Sequence, residues 1–180
     1  MPRLFVGIDL PEAIDEHLEL LCIGLPGARW EGSDRFHLTL RFLGDVDGGL
    51  QRAIIEALRV VQVPAFGLTL KGVGFFPPRG EPRSLWAGIA DDSALRELRR
   101  RVDRALDPLG LPPDRRKFAP HVTLARLRGA DVPRVIEYIS AHVLFRSADF
   151  QVERFLLYSS IRSHHGSKYR VEAGYRLAAC

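Results

Sequence analysis

Phe36-His37-Leu38-Thr39-Leu40-Arg41-Phe42 and Pro120-His121-Val122-Thr123-Leu124-Ala125-Arg126 decide how this 180-residue chain is read. Both contain His-x-Thr-Leu, and the two histidines lie 84 positions apart. The chain has six His, three Thr and 25 Leu. Random placement at that composition would give about 0.01 copies of the pattern. Two copies consume two of the three threonines, so chance is a poor account. If both stretches are strands, successive side chains alternate between faces. His37 and Thr39 then point one way and Leu38 and Leu40 the other. His121 and Thr123 are set against Val122 and Leu124 in the same manner. Strict alternation places Arg41 beside His37 and Thr39, facing the same space, and Phe42 with the leucines in the core. It turns Arg126 away from His121, unless the strand bulges or ends near Ala125 or the side chain reaches round the rim.

Outward from the motifs, apolar residues recur at helical spacing in four segments. One runs from Pro11 to about Leu25, with Ile14, Leu18, Leu21 and Leu25 on one face. The others follow Asp47, Ser93 and Asp131, whose side-chain oxygens suit an N-cap. Strand-like runs cover 4–9, 36–43, 66–75, 85–89, 120–127, 150–159 and 169–177. The last alternates, with Tyr169, Val171, Ala173, Tyr175 and Leu177 on one face. Each motif histidine follows a helix beginning about 27 positions earlier, and precedes one beginning about 11 positions later. The order strand–helix–strand–helix–strand therefore occurs twice, in halves of approximately 1–76 and 84–180, with the 169–177 strand added. The spacing predicts an α+β chain in which 1–180 form one bilobal domain. Its two lobes of mainly antiparallel sheet, with flanking helices, are related by a pseudo-two-fold axis around a central cleft. Both motifs would face that cleft.

Two imidazoles and two hydroxyls in one cleft suit displacement at phosphorus. A neutral His takes a proton from water, and a protonated one gives a proton to the departing oxygen. An ordinary His pKa near 6.5 makes both states accessible, and each transfer contributes typically 10²–10⁴-fold. The Thr hydroxyls donate to non-bridging oxygens where charge builds up. The scheme needs no metal and no cofactor. Zinc hydrolysis is the rival chemistry, but each motif supplies one good ligand without an acidic or Cys partner at ligand spacing.

Composition narrows the partners. The formal net charge is +4, and 23 of the 26 basic residues are Arg. Arg favours planar, bidentate recognition of anions, phosphate foremost. No apolar run approaches the roughly 18 residues of a membrane span, and the apolar run at the N-terminus is too short for a signal peptide. Two cysteines, Cys22 and Cys180, make neither a disulfide framework nor a four-Cys zinc site. A cytoplasmic globular protein without a membrane partner is expected.

The paired motifs, Phe36–Gly44 as Phe-His-Leu-Thr-Leu-Arg-Phe-Leu-Gly and 118–126 as Phe-Ala-Pro-His-Val-Thr-Leu-Ala-Arg, closely resemble the 2H phosphoesterases. Within them the resemblance is to bacterial RNA 2′,3′-cyclic phosphodiesterases, the LigT-like group also called 2′-5′ RNA ligases. Gly74-Phe-Phe-Pro-Pro78, Leu85-Trp-Ala-Gly-Ile89, Leu157-Tyr-Ser-Ser160 and Gly166-Ser-Lys-Tyr169 extend it over essentially the whole chain. The resemblance implies a bilobal LigT-like fold and metal-free hydrolysis of RNA 2′,3′-cyclic phosphate ends to 2′-phosphate. It implies that His37 is the proton donor, His121 the proton acceptor, and Arg126 a phosphate contact. A minor 2′-5′ ligase activity is the reverse chemistry. Thr39, Thr123 and Arg41 complete the expected substrate-binding set. RNA with a cyclic phosphate end, tRNA fragments included, is the expected partner, and a monomer the expected state. The alternatives are a small cyclic nucleotide or sugar phosphate, a 2′-5′ oligonucleotide, and an RNA-end-binding module without turnover.

The remaining features divide by context. The run Arg96, Arg99, Arg100, Arg101, Arg104 lies on a helix whose apolar face is accounted for, so it reads as a solvated face. Arg115-Arg116-Lys117 leads into the second motif and could track an RNA backbone. His17 and His142 lie in helical segments without such partners. His164-His165 reads as a solvated loop pair that could rim the cleft. Phe42, Phe75, Phe76, Trp86 and Tyr158 are the aromatics able to stack a terminal base, most of them expected in the core.

Overall fold

A computed structural model describes residues 1–114, 117–163 and 166–179. Strand β3 (His37–Asp45) carries the first motif, and β7 (Val122–Leu127) begins one residue past His121. They meet edge to edge at mid-sheet, where Leu38 faces Val122 in antiparallel pairing. These residues are 84 positions apart, like the histidines. An antiparallel pair of equivalent residues is what a two-fold axis through the pair requires. A second such pair lies between β4 (Phe66–Leu68) and β8 (Phe150–Val152), where Gly67 faces Gln151, again 84 positions apart. The pseudo-two-fold axis therefore runs through both pairs.

The main sheet falls into two lobes about the β3–β7 junction. One holds β3, β1 (Arg3–Asp9), β9 (Arg154–Ser163) and β10 (Gly166–Arg176). The other holds β7, β6 (Ser84–Ile89) and β5 (Leu70–Phe76). A short strand absent from the sequence-based expectation, β2 (Ala28–Trp30), pairs with the far end of β7. The repeat halves exchange a strand: β9 from the second joins β1, and β5 from the first joins β6.

Helices α1 (Glu12–Glu19), α2 (Gly48–Leu58), α3 (Ser93–Leu106) and α4 (Val132–Ala141) supply one side of the core. Ile14, Leu18, Ile54, Leu58, Leu98, Val102 and Val135 pack with Leu4, Val6, Ile8, Leu38, Leu40, Val122 and Leu124. Burying those faces against helices leaves the His/Thr faces open on the other side. α1 stops short of the expected Leu25, although Leu21 and Leu25 remain buried. Asp47 caps α2 as expected, accepting the Leu50 N–H at 2.8 Å. At α3 the cap position falls on Asp92 rather than Ser93, and Asp92 is engaged with Arg96. Asp131 sits at the α4 cap position without a side-chain bond to the helix.

Among the register shifts in the main sheet, three bear on the cleft by resetting strict alternation. Along β1, Gly7 faces Thr39 and Val6 faces Arg41, so Leu40 is an extra residue in β3. Along β6, Trp86 faces Thr123 and Leu85 faces Ala125, so Leu124 is the extra residue in β7. These positions too are 84 apart. Along β9, Tyr158 faces Val171 and Leu157 faces Ala173, making Glu172 the extra residue in β10. A single inserted residue transfers everything beyond it to the other face. Tyr169 and Tyr175 consequently lie on opposite sides of the sheet, correcting the expectation of one shared face. Tyr175 stacks on Phe155 in the core at 4.8 Å.

Candidate active site

The two histidines are held by the same local device. Nδ1 of His37 donates to the carbonyl of Arg35 at 2.7 Å, and Nδ1 of His121 donates to the carbonyl of Ala119 at 2.7 Å. A carbonyl only accepts, so Nδ1 carries the proton and Nε2 is left for acid or base work. The turn of chain two residues before each strand thus orients its ring from behind.

Both rings face one cleft of about 540 Å³ between the lobes, with Thr39 and Thr123 beside them. Phe5, Tyr158 and Tyr169 surround His37, with ring centroids 4.9, 6.1 and 4.9 Å away. Phe76 meets His121 edge-on at 5.0 Å, and Trp86 lies at 6.4 Å. Burial pushes the His37 imidazole down to about 4, against the Arg35 carbonyl, which pulls it up; the charges of His121 and Arg126 add to the lowering. His121 is lowered as well, chiefly by burial, with Arg126 contributing. An empty cleft at neutral pH therefore holds both rings uncharged.

The bulges decide the arginines. Beyond Leu40, Arg41 turns into the core, where it is 4% exposed. Its Nη1 pairs with Asp103 of α3 at 2.9 Å, and Nη2 reaches the Pro112 carbonyl at 3.5 Å. The expectation that Arg41 lines the cleft is thereby corrected: it ties β3 to α3. Phe42 takes the place foreseen for Arg41, 49% exposed and lining the cleft, which corrects its assignment to the core. In β7 the same device buries Ala125 and swings Arg126 into the cleft. Arg126 stands 3.6 Å from Glu31, whose other oxygen lies 3.3 Å from Arg35.

Arg3, Arg35, Lys117, Ser84 and Ser160 also line the cleft. The Arg115-Arg116 part of the basic lead-in and the pair His164-His165 lie outside the described residues. His17 packs on Phe145 at 5.2 Å, and His142 stacks on Tyr138 at 4.2 Å, both away from the cleft lining. Four of the five α3 arginines have carboxylate partners: Arg96 with Asp92, Arg100 and Arg101 with Glu97, and Arg99 with Asp103 and Asp114. Among the described residues, no three His, Cys, Asp or Glu gather as a metal-ligand set, and no helix is long and apolar enough to cross a membrane.

Sequence reasoning missed Phe42, Glu31, Arg35 and Tyr169 as cleft residues. A signal for the first existed. The apolar positions Leu38, Leu40, Leu43 and Val122, Leu124, Leu127 step by two and then by three in both repeats. A period-2 pattern that slips at the same place twice marks a shared bulge.

A family model described as the 2′-5′ RNA ligase superfamily matches residues 28–164. An RNA 2′,3′-cyclic phosphodiesterase of Thermotoga maritima is 33% identical over 175 residues, which is 94% of this chain and 92% of that protein. A Geobacillus stearothermophilus protein of the same name is 39% identical over 136 residues, 74% of this chain. The match spans 43% of that longer relative. Among solved structures, E. coli LigT complexed with 3′-AMP superimposes with a TM-score of 0.79 at 28% identity, covering 98% of this chain and 99% of that one.

Proposed function

We propose that this chain, which belongs to the 2′-5′ RNA ligase superfamily, hydrolyses RNA 2′,3′-cyclic phosphate ends to 2′-phosphates by paired-His acid–base chemistry. One observation carries the reading. Two histidines, oriented by equivalent Nδ1–carbonyl bonds, face one cleft together with two threonines and an arginine.

In this scheme His121 Nε2 takes a proton from water as the water oxygen bonds to phosphorus. The bond from phosphorus to the 3′-oxygen breaks, and His37 Nε2 gives that oxygen its proton. Thr39 and Thr123 donate to the non-bridging oxygens, and Arg126 balances their charge. The product carries a 2′-phosphate and a free 3′-hydroxyl. Burial holds His37 neutral in the empty cleft, so its proton is acquired as the substrate anion enters and favours the charged ring. A 5′-hydroxyl in place of water would run the reverse chemistry and form a 2′-5′ linkage, the minor activity. Cleaved RNAs such as tRNA fragments are the substrates in view.

The test is an RNA oligomer ending in a 2′,3′-cyclic phosphate, incubated with the protein and excess chelator, with the product end identified. A 2′-phosphate is expected. No turnover, or turnover that requires added metal, overturns the scheme.

A further inference from the structure

A second hollow, of about 460 Å³, adjoins the cleft and shares Glu31, Arg35, Arg126 and Tyr169 with it. It runs over β2 and on to Arg128. Arg29 of β2 lies directly opposite Arg126 of β7, so both guanidinium groups leave the same face of the sheet. Like charges directly opposite one another destabilise a sheet. Arg128 follows two positions beyond Arg126 and is exposed. Six basic side chains line the two hollows, with Glu31 shared between Arg35 and Arg126, Asp34 beside Arg35 and Asp45 beside Arg3. Four of the five arginines in the denser run on α3 are engaged with carboxylates at the helix itself or close by, Arg96 with Asp92, Arg100 and Arg101 with Glu97, and Arg99 with Asp103 and Asp114. Basic side chains thus line one path leading out of the cleft, Arg126 and Arg35 at its start and Arg29 and Arg128 beyond, and such a path attracts a polyanion.

We infer that this hollow is a track for the phosphodiester backbone on the 5′ side of the cyclic end, making the protein select RNA oligomers over cyclic mononucleotides. The inference rests on the proposed function. An RNA whose end lies between His37 and His121 must leave the cleft somewhere, and Arg126 stands in the walls of both hollows. Arg29 and Arg128 would hold the next phosphates as planar, bidentate donors. A cyclic mononucleotide ends before reaching them.

The test measures binding and turnover separately. Binding uses His37→Ala/His121→Ala protein, a labelled oligoribonucleotide with a cyclic phosphate end, and a 2′,3′-cyclic mononucleotide as competitor. Adding Arg29→Ala/Arg128→Ala is expected to weaken the oligomer about tenfold or more. It should also flatten the log–log salt dependence by about 0.7 per lost contact, while the mononucleotide shifts less than twofold. Arg29→Lys/Arg128→Lys should keep the salt slope. Equal losses for both ligands, or no loss for either, overturn the track. Turnover is read in parent protein with the same two ligands. Oligomer binding that depends on Arg29 and Arg128 without turnover overturns the proposed function and leaves the track. Turnover of both ligands in a ratio unmoved by Arg29→Ala/Arg128→Ala overturns the track and leaves the function.

Discussion

Strands β3 and β7 share a backbone and differ in chemistry. Both present His and Thr to the cleft, both are oriented from behind by a carbonyl two residues earlier, and both bulge at the leucine after the threonine. Beyond the bulge they diverge. β3 buries an arginine against Asp103 and offers Phe42 to the cleft; β7 buries an alanine and offers Arg126. The symmetric part suits an acid–base pair, whose members need the same placement. The asymmetric part supplies what a nucleotide end lacks by symmetry, with an apolar face on one side of the phosphate and a cation on the other.

The largest effects test the symmetric part. His37→Ala and His121→Ala should each lower kcat on an RNA cyclic phosphate by about 10²–10⁴-fold. The double variant should be little worse than the poorer single, because the two act as one unit. A dispensable histidine would break the equivalence of the strands.

Next in size comes the arginine contrast. A hydrogen bond to a charged group contributes about 1.5–3 kcal/mol. Arg126→Ala should therefore cost roughly 10- to 100-fold in kcat/KM with little change in Tm. Arg41→Ala should instead lower unfolding stability by about 2 kcal/mol and leave kcat/KM of the folded protein within about twofold. Kinetics together with denaturant unfolding separate the two, and the opposite pattern would mean that the bulge in β3 is misassigned. Phe42→Ala should raise KM about tenfold through a lost stacking face, with Phe42→Tyr preserving it. An unchanged KM would leave Phe42 a rim residue only.

The smallest effects concern pH. With His37 lowered to about 4 and His121 lowered from 6.5, kcat/KM, which reports the free protein, should peak below about pH 6.5. The profile of kcat should move upward, because bound phosphate raises both rings. Stability follows the same ring. The unfolded chain protonates His37 near 6.5 and the folded one only near 4, so the unfolded state binds more protons in that window. Stability should fall as pH drops from about 6.5 to 4, and His37→Gln should flatten that slope in urea melts. An unaltered slope would place the low-pH loss elsewhere.

Much of this was legible in advance. The four helices, the approximate places of most strands and the 84-residue repeat follow from apolar periodicity, because a face that must be buried repeats with the geometry of its own backbone. The runs 66–75 and 150–159, expected as single strands, each break into two, whose first pieces pair as a separate sheet. His37, Thr39, His121 and Thr123 were legible because scarce residues recur at equivalent places. Arg41, Phe42 and Tyr175 were misplaced for one shared reason: each lies just past a bulge. β2 was missed because three residues carry too little pattern to stand out, and its partner is β7, almost a hundred positions away.

By itself, then, the sequence determined that two like motifs exist, that they sit in two like halves, and that each points imidazole and hydroxyl the same way. Alternation is a property of one strand and can be read along it. Which arginine enters the cleft, and where basic charge continues beyond it, only the tertiary structure decided. A bulge is a property of a strand pair: β1 and β6 set the register that buries Arg41 and frees Arg126, and β2 sets Arg29 beside it.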